Sequence, residues 1–427
     1  LKNGATVIVS QQALPLPVAL IITADTRHFL SFFSDRYFGH PSHKLDVTGI
    51  TGTNGKTTTA HFLYEIYQAA GKKSALMGTV GIKAAGQSRK QSLTTPGAEE
   101  LHNTLWQLER EGMEHVAMEV SSHALVQKRV EHCRFHAAIF TNLTREHLDY
   151  HQTMDDYFQA KAHLFALIRG SASNAIINAD DRRAELLQQQ LTSHMLTYGI
   201  EKEADVKALE IRPLTDGGSY VKALSPWGEL SFAIRLHGLY NIYNALAAAS
   251  AALMDNISLS AVERGIAALK LVPGRLELLP SPPGVRVYLD YAHTPDALEK
   301  VLQAVSDYPH QRIILVFGCR GQRDSGKRPL MGAIAERYAD ITILTADNPI
   351  DENPAAIAKD IAHTMVKKPF YIDEREEAIY YALTLAGDGD IVLITGKGRE
   401  DYQLIGNSVI PYSDLNVVYS YVNHPLH

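Results

Sequence analysis

Short apolar runs recur along this chain. Each ends in a polar cluster and is followed by a stretch with helical spacing. The clearest run, 47–50, enters Thr51-Gly-Thr-Asn-Gly-Lys-Thr57 and then a helical stretch over 58–70. The runs 74–80, 115–120, 137–142 and 175–178 repeat the pattern, with helices expected between them. Strand alternating with helix predicts a parallel sheet with crossover helices. Ligands bind beyond the carboxyl ends of such strands. Polar clusters stand there: Glu119-Val-Ser-Ser-His123 after one run and Thr141-Asn142 after another. Residues 204–236 alternate more strictly, with turns at Asp216-Gly217-Gly218 and Pro226-Trp-Gly228, and read as antiparallel hairpins added to the sheet. Residues 241–253 are Ala-rich and helical.

Ahead of this region lie two strand-like runs, 5–10 and 18–22, and a helical stretch over 28–37. That is less than half a typical domain. The first residue is Leu1, not Met, so the expectation is the back end of a domain whose front is missing. A second boundary falls near Val272-Pro-Gly-Arg275. Beyond it the apolar runs 285–289, 313–317, 341–344 and 391–394 end in Asp290-Tyr-Ala-His293, Gly318-Cys-Arg-Gly321, Asp347-Asn-Pro349 and Thr395-Gly-Lys-Gly-Arg-Glu400. The fold class expected is α/β. Residues 1–44 form a partial N-terminal domain, 45–272 a central parallel-sheet ATPase domain, and 273–427 a Rossmann-like domain.

Composition narrows this little. Hydrophobic residues make up 45% and charged residues 21% of 427, as in ordinary globular proteins. A net charge of −6 with no basic block argues against nucleic acid as a partner. No apolar run reaches the ~18 residues of a membrane span, and no signal peptide is legible. Two cysteines, Cys133 and Cys319, suit a reducing cytoplasm. A monomer is expected.

The chemistry centres on the turn at 51–57. Glycines let backbone approach oxygen atoms closely, and N–H groups at a helix start face an anion. Lys56 would sit near the β- and γ-phosphates of ATP and the Thr57 hydroxyl would reach Mg²⁺. The glycines fall at 49, 52 and 55, and Ile50 stands where a strict Walker pattern has Gly. Glu119 ends a buried run. It would be costly there unless paired or bound to metal, so it could complete an oxygen-ligand site with Thr57; a capping carboxylate is the equal alternative. His147 could be a second ligand, although a loop histidine is more often merely polar. Lys161 looks inward from a helix over 157–167. Thr94-Thr95-Pro96 is a weak anion seat at a helix start, and Asp290 and His293 could contact nucleotide or simply form turns.

Taken in order, these segments resemble the Mur ligases of peptidoglycan synthesis, and among them the MurE type that adds the third amino acid. The resemblance covers 38–412. It rests on the 51–57 turn, Thr94-Thr-Pro96, Glu119-Val-Ser-Ser-His123, His147-Leu-Asp-Tyr-His151, Ala160-Lys161, Asn241-Ile-Tyr-Asn244, Pro273-Gly-Arg-Leu-Glu277, Asp290-Tyr-Ala-His-Thr-Pro-Asp-Ala297, Lys327-Arg-Pro-Leu-Met331, Asp347-Asn-Pro349 and Gly396-Lys-Gly398. It implies an ATP site of Gly52, Thr53, Asn54, Gly55, Lys56, Thr57 and Thr58, closed by Asn241, Arg275, Asp290 and His293. It implies Mg²⁺ held through Thr57, Glu119, His147 and a CO₂-derived carbamate on Lys161. Thr94, Thr95, Ser121, Gln127 and Arg129 would contact the UDP-MurNAc-dipeptide. Arg323, Asn348, Gly396 and Glu400 would hold the incoming free amino acid. The implied reaction is ATP-dependent ligation through an acyl phosphate, and the lost N-terminal part implies a weak grip on UDP.

The chain departs from the family pattern in places. Ile350 stands where users of meso-diaminopimelate have Arg after Asp-Asn-Pro, and Arg320 and Gln322 intrude in the preceding loop. Arg320 offers a substitute cation. Glu146 replaces the usual Asp. Arg399 occupies a position where lysine users often carry Arg. The Gly-Cys and Lys-Arg-Pro-Leu-Met segments favour diaminopimelate. Alternatives are an L-lysine-adding ligase, a folylpolyglutamate synthase-like ligase, a kinase, and a non-catalytic nucleotide-binding module.

Overall fold

The structure is a computed structural model describing residues 4–168, 174–191, 194–214 and 217–423. Asp216 of the expected turn lies outside the described residues. A parallel pair, β1 (Val7–Ser10) and β2 (Ala19–Ile22), and a helix (Thr26–Tyr37) precede the main sheet. The main sheet takes β3 (Asp46–Thr51), β4 (Ser74–Gly78), β5 (Gly81–Ala84), β6 (Gln87–Arg89), β7 (His115–Glu119), β8 (Ala137–Phe140), β9 (Asn174–Asn178), β10 (His194–Gly199), β11 (Val206–Pro213), β12 (Ser219–Ser225) and β13 (Gly228–Ile234) in the order 13-12-11-10-9-8-3-7-4-5-6. β3 lies between β7 and β8, parallel to both. Its carboxyl end is therefore flanked by Glu119 on one side and Thr141 on the other.

Two features differ from the expectation. The run 74–80 is not one strand leading into a helix. It stops at Gly78, turns through Thr79 and Val80, and continues as the antiparallel β5 and β6. Gly81 takes φ +106, and a Cβ there would collide with the Arg89 carbonyl, so glycine sets the turn. β10 went unpredicted. It pairs parallel with β9 before the chain enters the expected antiparallel hairpins of β11 to β13.

The Lys56–Ala69 helix is buried along most of its length between the sheet and two helices, Leu239–Met254 and Leu259–Ala268. Alanines on the first and Gly265 on the second allow the close approach. A Cβ on Gly265 would meet the Ile66 backbone. This packing holds the phosphate-loop helix rigid from behind.

The second sheet takes β14 (Glu277–Leu279), β15 (Arg286–Asp290), β16 (Ile313–Phe317), β17 (Ile341–Leu344), β18 (Phe370–Tyr371) and β19 (Ile391–Thr395) in the order 14-15-19-16-17-18. The four apolar runs read from sequence form its middle. The short antiparallel β14 and two-residue β18 add edges that periodicity cannot reveal. Arg375 and Asp414, both fully buried, pair through bonds of 2.8 and 2.7 Å. A further Arg375 bond to the Thr395 carbonyl ties the last helix to β19. Two charges are tolerable there because each satisfies the other.

Candidate active site

Gly52 and Gly55 shape the turn after β3. They adopt φ +149 and +88, and side chains at these positions would strike Thr141 and Asn244. The turn is held from below. Thr141 Oγ1 donates to the Asn54 carbonyl (2.6 Å) and the Asn54 N–H donates to Asn142 Oδ1 (2.9 Å). Lys56 folds back, donating to the carbonyls of Gly52 (2.7 Å) and Thr53 (2.8 Å). Lys161, on the Met154–Ala166 helix and 1% exposed, donates to the same Gly52 oxygen (2.8 Å), with its ammonium over the Tyr157 ring. Two lysines thus converge on one carbonyl. Burial, then the charge of Lys56, pushes the Lys161 pKa well down, and burial pushes Lys56 down too.

Glu119 is fully buried at the end of β7. Its carboxylate accepts from Thr57 Oγ1 (3.0 Å), the Thr79 N–H (2.8 Å) and Thr79 Oγ1 (3.1 Å). It caps no helix; Ser121 caps the Ser122–Val126 helix instead. Gly78 is required beside it, since a Cβ would overlap the carboxylate. His147 adopts φ +56, with its ring against His123 and Tyr157. Burial lowers its pKa to about 3, so its imidazole is neutral with a lone pair to offer. The Thr57 hydroxyl and the Glu119 carboxylate, 3.0 Å apart, are oxygen donors that fit a hard divalent cation, whereas His147 packs against Glu146, His123 and Tyr157. A guanidinium already lies against this group, since Arg275 donates to Thr57 Oγ1 (3.0 Å).

That contact is one of several joining the second sheet to the phosphate loop. Asn54 Nδ2 donates to Asp296 Oδ2 (2.8 Å), and His293 Nε2 lies 2.7 Å from Glu146 Oε1. His293 Nδ1 meets the Tyr291 carbonyl, so both its ring nitrogens face acceptors. Against the pull of burial, His293 and Lys327 hold the Glu146 carboxyl well below its usual range. Asp290 accepts from the N–H groups of Leu276 (2.6 Å) and Ala292 (2.7 Å) and thereby orders the Arg275 and His293 loops. Asn241 bonds the His237 carbonyl and Asn244, one helical turn from Gly55's neighbour. Thr53 reaches the Thr144 carbonyl, and Thr58 is buried in the first helical turn.

Ser121, Gln127 and Arg129 cluster beyond β7. Arg129 bonds Gln127 and the Thr95 carbonyl (2.7 Å). Thr95 is fully buried and its hydroxyl is committed to the Glu119 carbonyl and the Ser121 N–H. Thr94 is the more open of the two and bonds Thr79. The helix after Thr94-Thr-Pro96 starts only at Ala98. In the second sheet, Lys397, fully buried, donates to Asn348 Oδ1 (3.1 Å) and Glu400 Oε2 (3.0 Å). Gly396, at φ +110, has no room for a side chain beside Asp347. Arg323 reaches back to Asp149 of the central region (3.2 Å). Arg320 keeps a buried Nε without a partner. Sequence reasoning gave no role to Thr79, Asn142, Asp296 or Lys397. Their side chains matter through contacts between distant segments.

Of two departures from the family pattern, Arg399 has a structural explanation and Ile350 has none. Arg399 pairs with the buried Glu277 (2.8 Å), which accounts for an arginine there without invoking the substrate. Ile350 sits at φ +58, with its N–H on the Leu404 carbonyl and its carbonyl on the Gly406 N–H. A β-branched residue in this region is strained by roughly 1–2 kcal/mol. Ile350→Asn is therefore expected to stabilise the protein by about 1 kcal/mol, read as a rise in the denaturant midpoint at unchanged slope. A fall would show that side-chain packing at 350 outweighs the strain.

Residues 50–252 match the Mur ligase middle domain and 274–398 the Mur ligase glutamate ligase domain. The chain is 42% identical over 420 residues to the UDP-N-acetylmuramoyl-L-alanyl-D-glutamate–2,6-diaminopimelate ligase of Geobacillus kaustophilus, covering 96% of this chain and 86% of that one. The enzyme of the same name from Listeria monocytogenes is 38% identical over 96% of this chain and 85% of its own length. A solved structure of a ligase of that name superposes with TM-score 0.67 at 32% identity, covering 100% of this chain and 88% of the other. A Mycobacterium tuberculosis folylpolyglutamate synthase superposes with TM-score 0.73 over 86% of this chain and 92% of its own, but at 17% identity it shares the fold alone.

Proposed function

This chain belongs to the Mur ligase family, and from that premise we propose its reaction and the role of each residue at the site. It is an ATP-dependent ligase that adds meso-diaminopimelate to UDP-N-acetylmuramoyl-L-alanyl-D-glutamate in peptidoglycan synthesis. The γ-carboxylate of D-glutamate attacks the terminal phosphoryl group of ATP, forming an acyl phosphate and ADP. The amine of diaminopimelate then attacks the acyl carbon. The tetrahedral adduct loses phosphate, which carries away one former carboxylate oxygen, and the nitrogen loses a proton. Lys56 and the N–H groups of the 52–57 turn bind the phosphoryl oxygens as charge builds on them. Arg275, Asn241, Asp290 and His293 close the nucleotide from the other side. Thr57, Glu119, His147 and a Lys161 carbamate would hold Mg²⁺, which offsets phosphoryl charge when bound.

The carbamate reading draws support from the two lysines on the Gly52 carbonyl. Burial and the neighbouring cation push this amine toward its neutral form, the form that adds CO₂. The product is an anion beside Lys56 instead of a second cation. Thr94, Ser121, Gln127 and Arg129 line the UDP-dipeptide side, with the buried Thr95 positioning Ser121 from behind; Arg323, Asn348, Gly396 and Glu400 line the amino-acid side, with the unpartnered Arg320 Nε offering a cation to a carboxylate of diaminopimelate. We divide the chain into units 1–44, 45–272 and 273–427. Its nucleotide substrates and buried free cysteines favour the cytoplasm; among the described residues no helix is long and apolar enough to cross a membrane.

The observation that carries this reading is the closure of one sheet on the other. Arg275, Asp296 and His293 meet Thr57, Asn54 and Glu146, as a ligase needs if it must shield an acyl phosphate from water. Phosphate release should be measured with UDP-MurNAc-dipeptide, ATP and a panel of amino acids. Release is expected with meso-diaminopimelate well above lysine. A preference for lysine would overturn the amino-acid assignment, and no release with any amino acid would overturn the ligase.

A further inference from the structure

The Thr26–Tyr37 helix ends in a way that gathers imidazoles around one buried carboxylate. Gly39, at φ +71, turns the chain so that the His40 N–H bonds the Asp35 carbonyl (2.8 Å). This brings His40 Nδ1 to 2.6 Å from Asp35 Oδ2. His40 itself takes φ +55, and Pro41 starts a single 3₁₀ turn that ends at His43. Ligand atoms of Asp35, His40 and His43 consequently lie within 4.8 Å of one another. The spacing Asp-x₄-His-x₂-His is thus converted by one helix end and one turn into a cluster.

A second observation points to a ligand. Asp35 is 5% exposed, yet its other oxygen, Oδ1, has no hydrogen-bond partner. It faces Nδ1 of His102, which is fully buried, also lacks a hydrogen-bond partner, and lies 3.7 Å away on the Ala98–Arg110 helix. Leaving two such polar atoms buried and unbonded is costly. Cys133 lies 4.0 Å from the far nitrogen of His102, on the side of the ring away from Asp35, and is not part of the cluster.

We propose that Asp35, His40 and His43 bind a divalent transition-metal ion of the zinc class, with His102 supporting the Asp35 carboxylate from its other oxygen. Imidazole with carboxylate suits Zn²⁺ and its neighbours rather than Mg²⁺. Bonds of about 2.0–2.2 Å place tetrahedral ligand atoms roughly 3.3 Å apart. The surface-facing His40 and His43 can adjust to that spacing by side-chain rotation, while the ion replaces the Asp35–His40 hydrogen bond. The cluster lies before the start of β3, whereas Lys56 follows its carboxyl end and Glu119 ends the parallel β7 beside it. Its ion would staple the Thr26–Tyr37 helix to the Ala98–Arg110 helix and to the start of β3.

The test uses the full chain, stripped with chelator and kept in excess Mg²⁺ so that the candidate active site does not compete. Zn²⁺ binding is followed by calorimetry and Co²⁺ by its absorption spectrum. One equivalent should bind, with tetrahedral Co²⁺ bands and a raised melting temperature. His43→Ala, at an exposed position, and Asp35→Asn, of unchanged shape, should each weaken binding by about tenfold or more and abolish the spectrum. Ligation by metal-free His43→Ala should stay at the wild-type level. Absence of binding to the wild type, or equal binding by wild type and both variants, would overturn the proposal.

Discussion

Lys161→Ala is expected to abolish ligation, by at least about 10²–10³-fold in turnover, while leaving the protein folded. Lys161 is buried, makes its hydrogen bond to the Gly52 carbonyl, and stands within the field of Lys56. Its amine is held toward the neutral form, which is reactive to CO₂. The carbamate would add the negative charge that Thr57, Glu119 and His147 need to retain Mg²⁺ next to the phosphoryl group. Two further results follow. Short carboxylates such as acetate or formate should partly restore Lys161→Ala, because they refill the place of the missing anion. Wild-type activity should fall in CO₂-depleted buffer and return with bicarbonate. Near-normal turnover in Lys161→Ala would end the carbamate reading.

Lys56→Ala is expected to lower kcat and kcat/KM together, by about 10²–10³-fold, because the lost contact strengthens as charge develops on the phosphoryl oxygens. The fold should survive. The Lys56 side chain bonds only two loop carbonyls, and its removal opens no apolar cavity. Unfolding of this variant at a temperature where the wild type is stable would contradict the phosphate-binding role. The two lysines are also coupled. Without Lys56 the Lys161 amine loses the cation that disfavours its protonation, and the carbamate loses its counter-ion. The double variant should therefore be scarcely worse than either single one.

The extent to which the site was legible in the sequence depends on how local each signal is. The phosphate loop was legible because its constraints lie within seven residues: glycines at 52 and 55 that no other residue could replace, then Lys-Thr at a helix start. Glu119 stood out as a charge ending an apolar run, which requires a reason; Lys161, by itself an ordinary helical lysine, was singled out by family resemblance. Arg275 on Thr57 and His293 on Glu146 join residues 218 and 147 positions apart; their positions came from family resemblance, and no spacing rule predicts the contacts. Thr79 was hidden because the hairpin of β4 and β5 was read as one strand. Arg399 was legible only as a departure from the family pattern; its pairing with the buried Glu277 joins residues far apart in the chain, which no spacing rule reveals.

The central claim is an acyl phosphate formed on the D-glutamyl γ-carboxylate within this site. The most direct measurement is transfer of ¹⁸O from that carboxylate, labelled in both oxygens, during turnover with ATP and meso-diaminopimelate. The account predicts that each phosphate released carries one ¹⁸O, because the carbon–oxygen bond breaks when the amine displaces phosphate. Phosphate free of ¹⁸O, released in step with product, would contradict it.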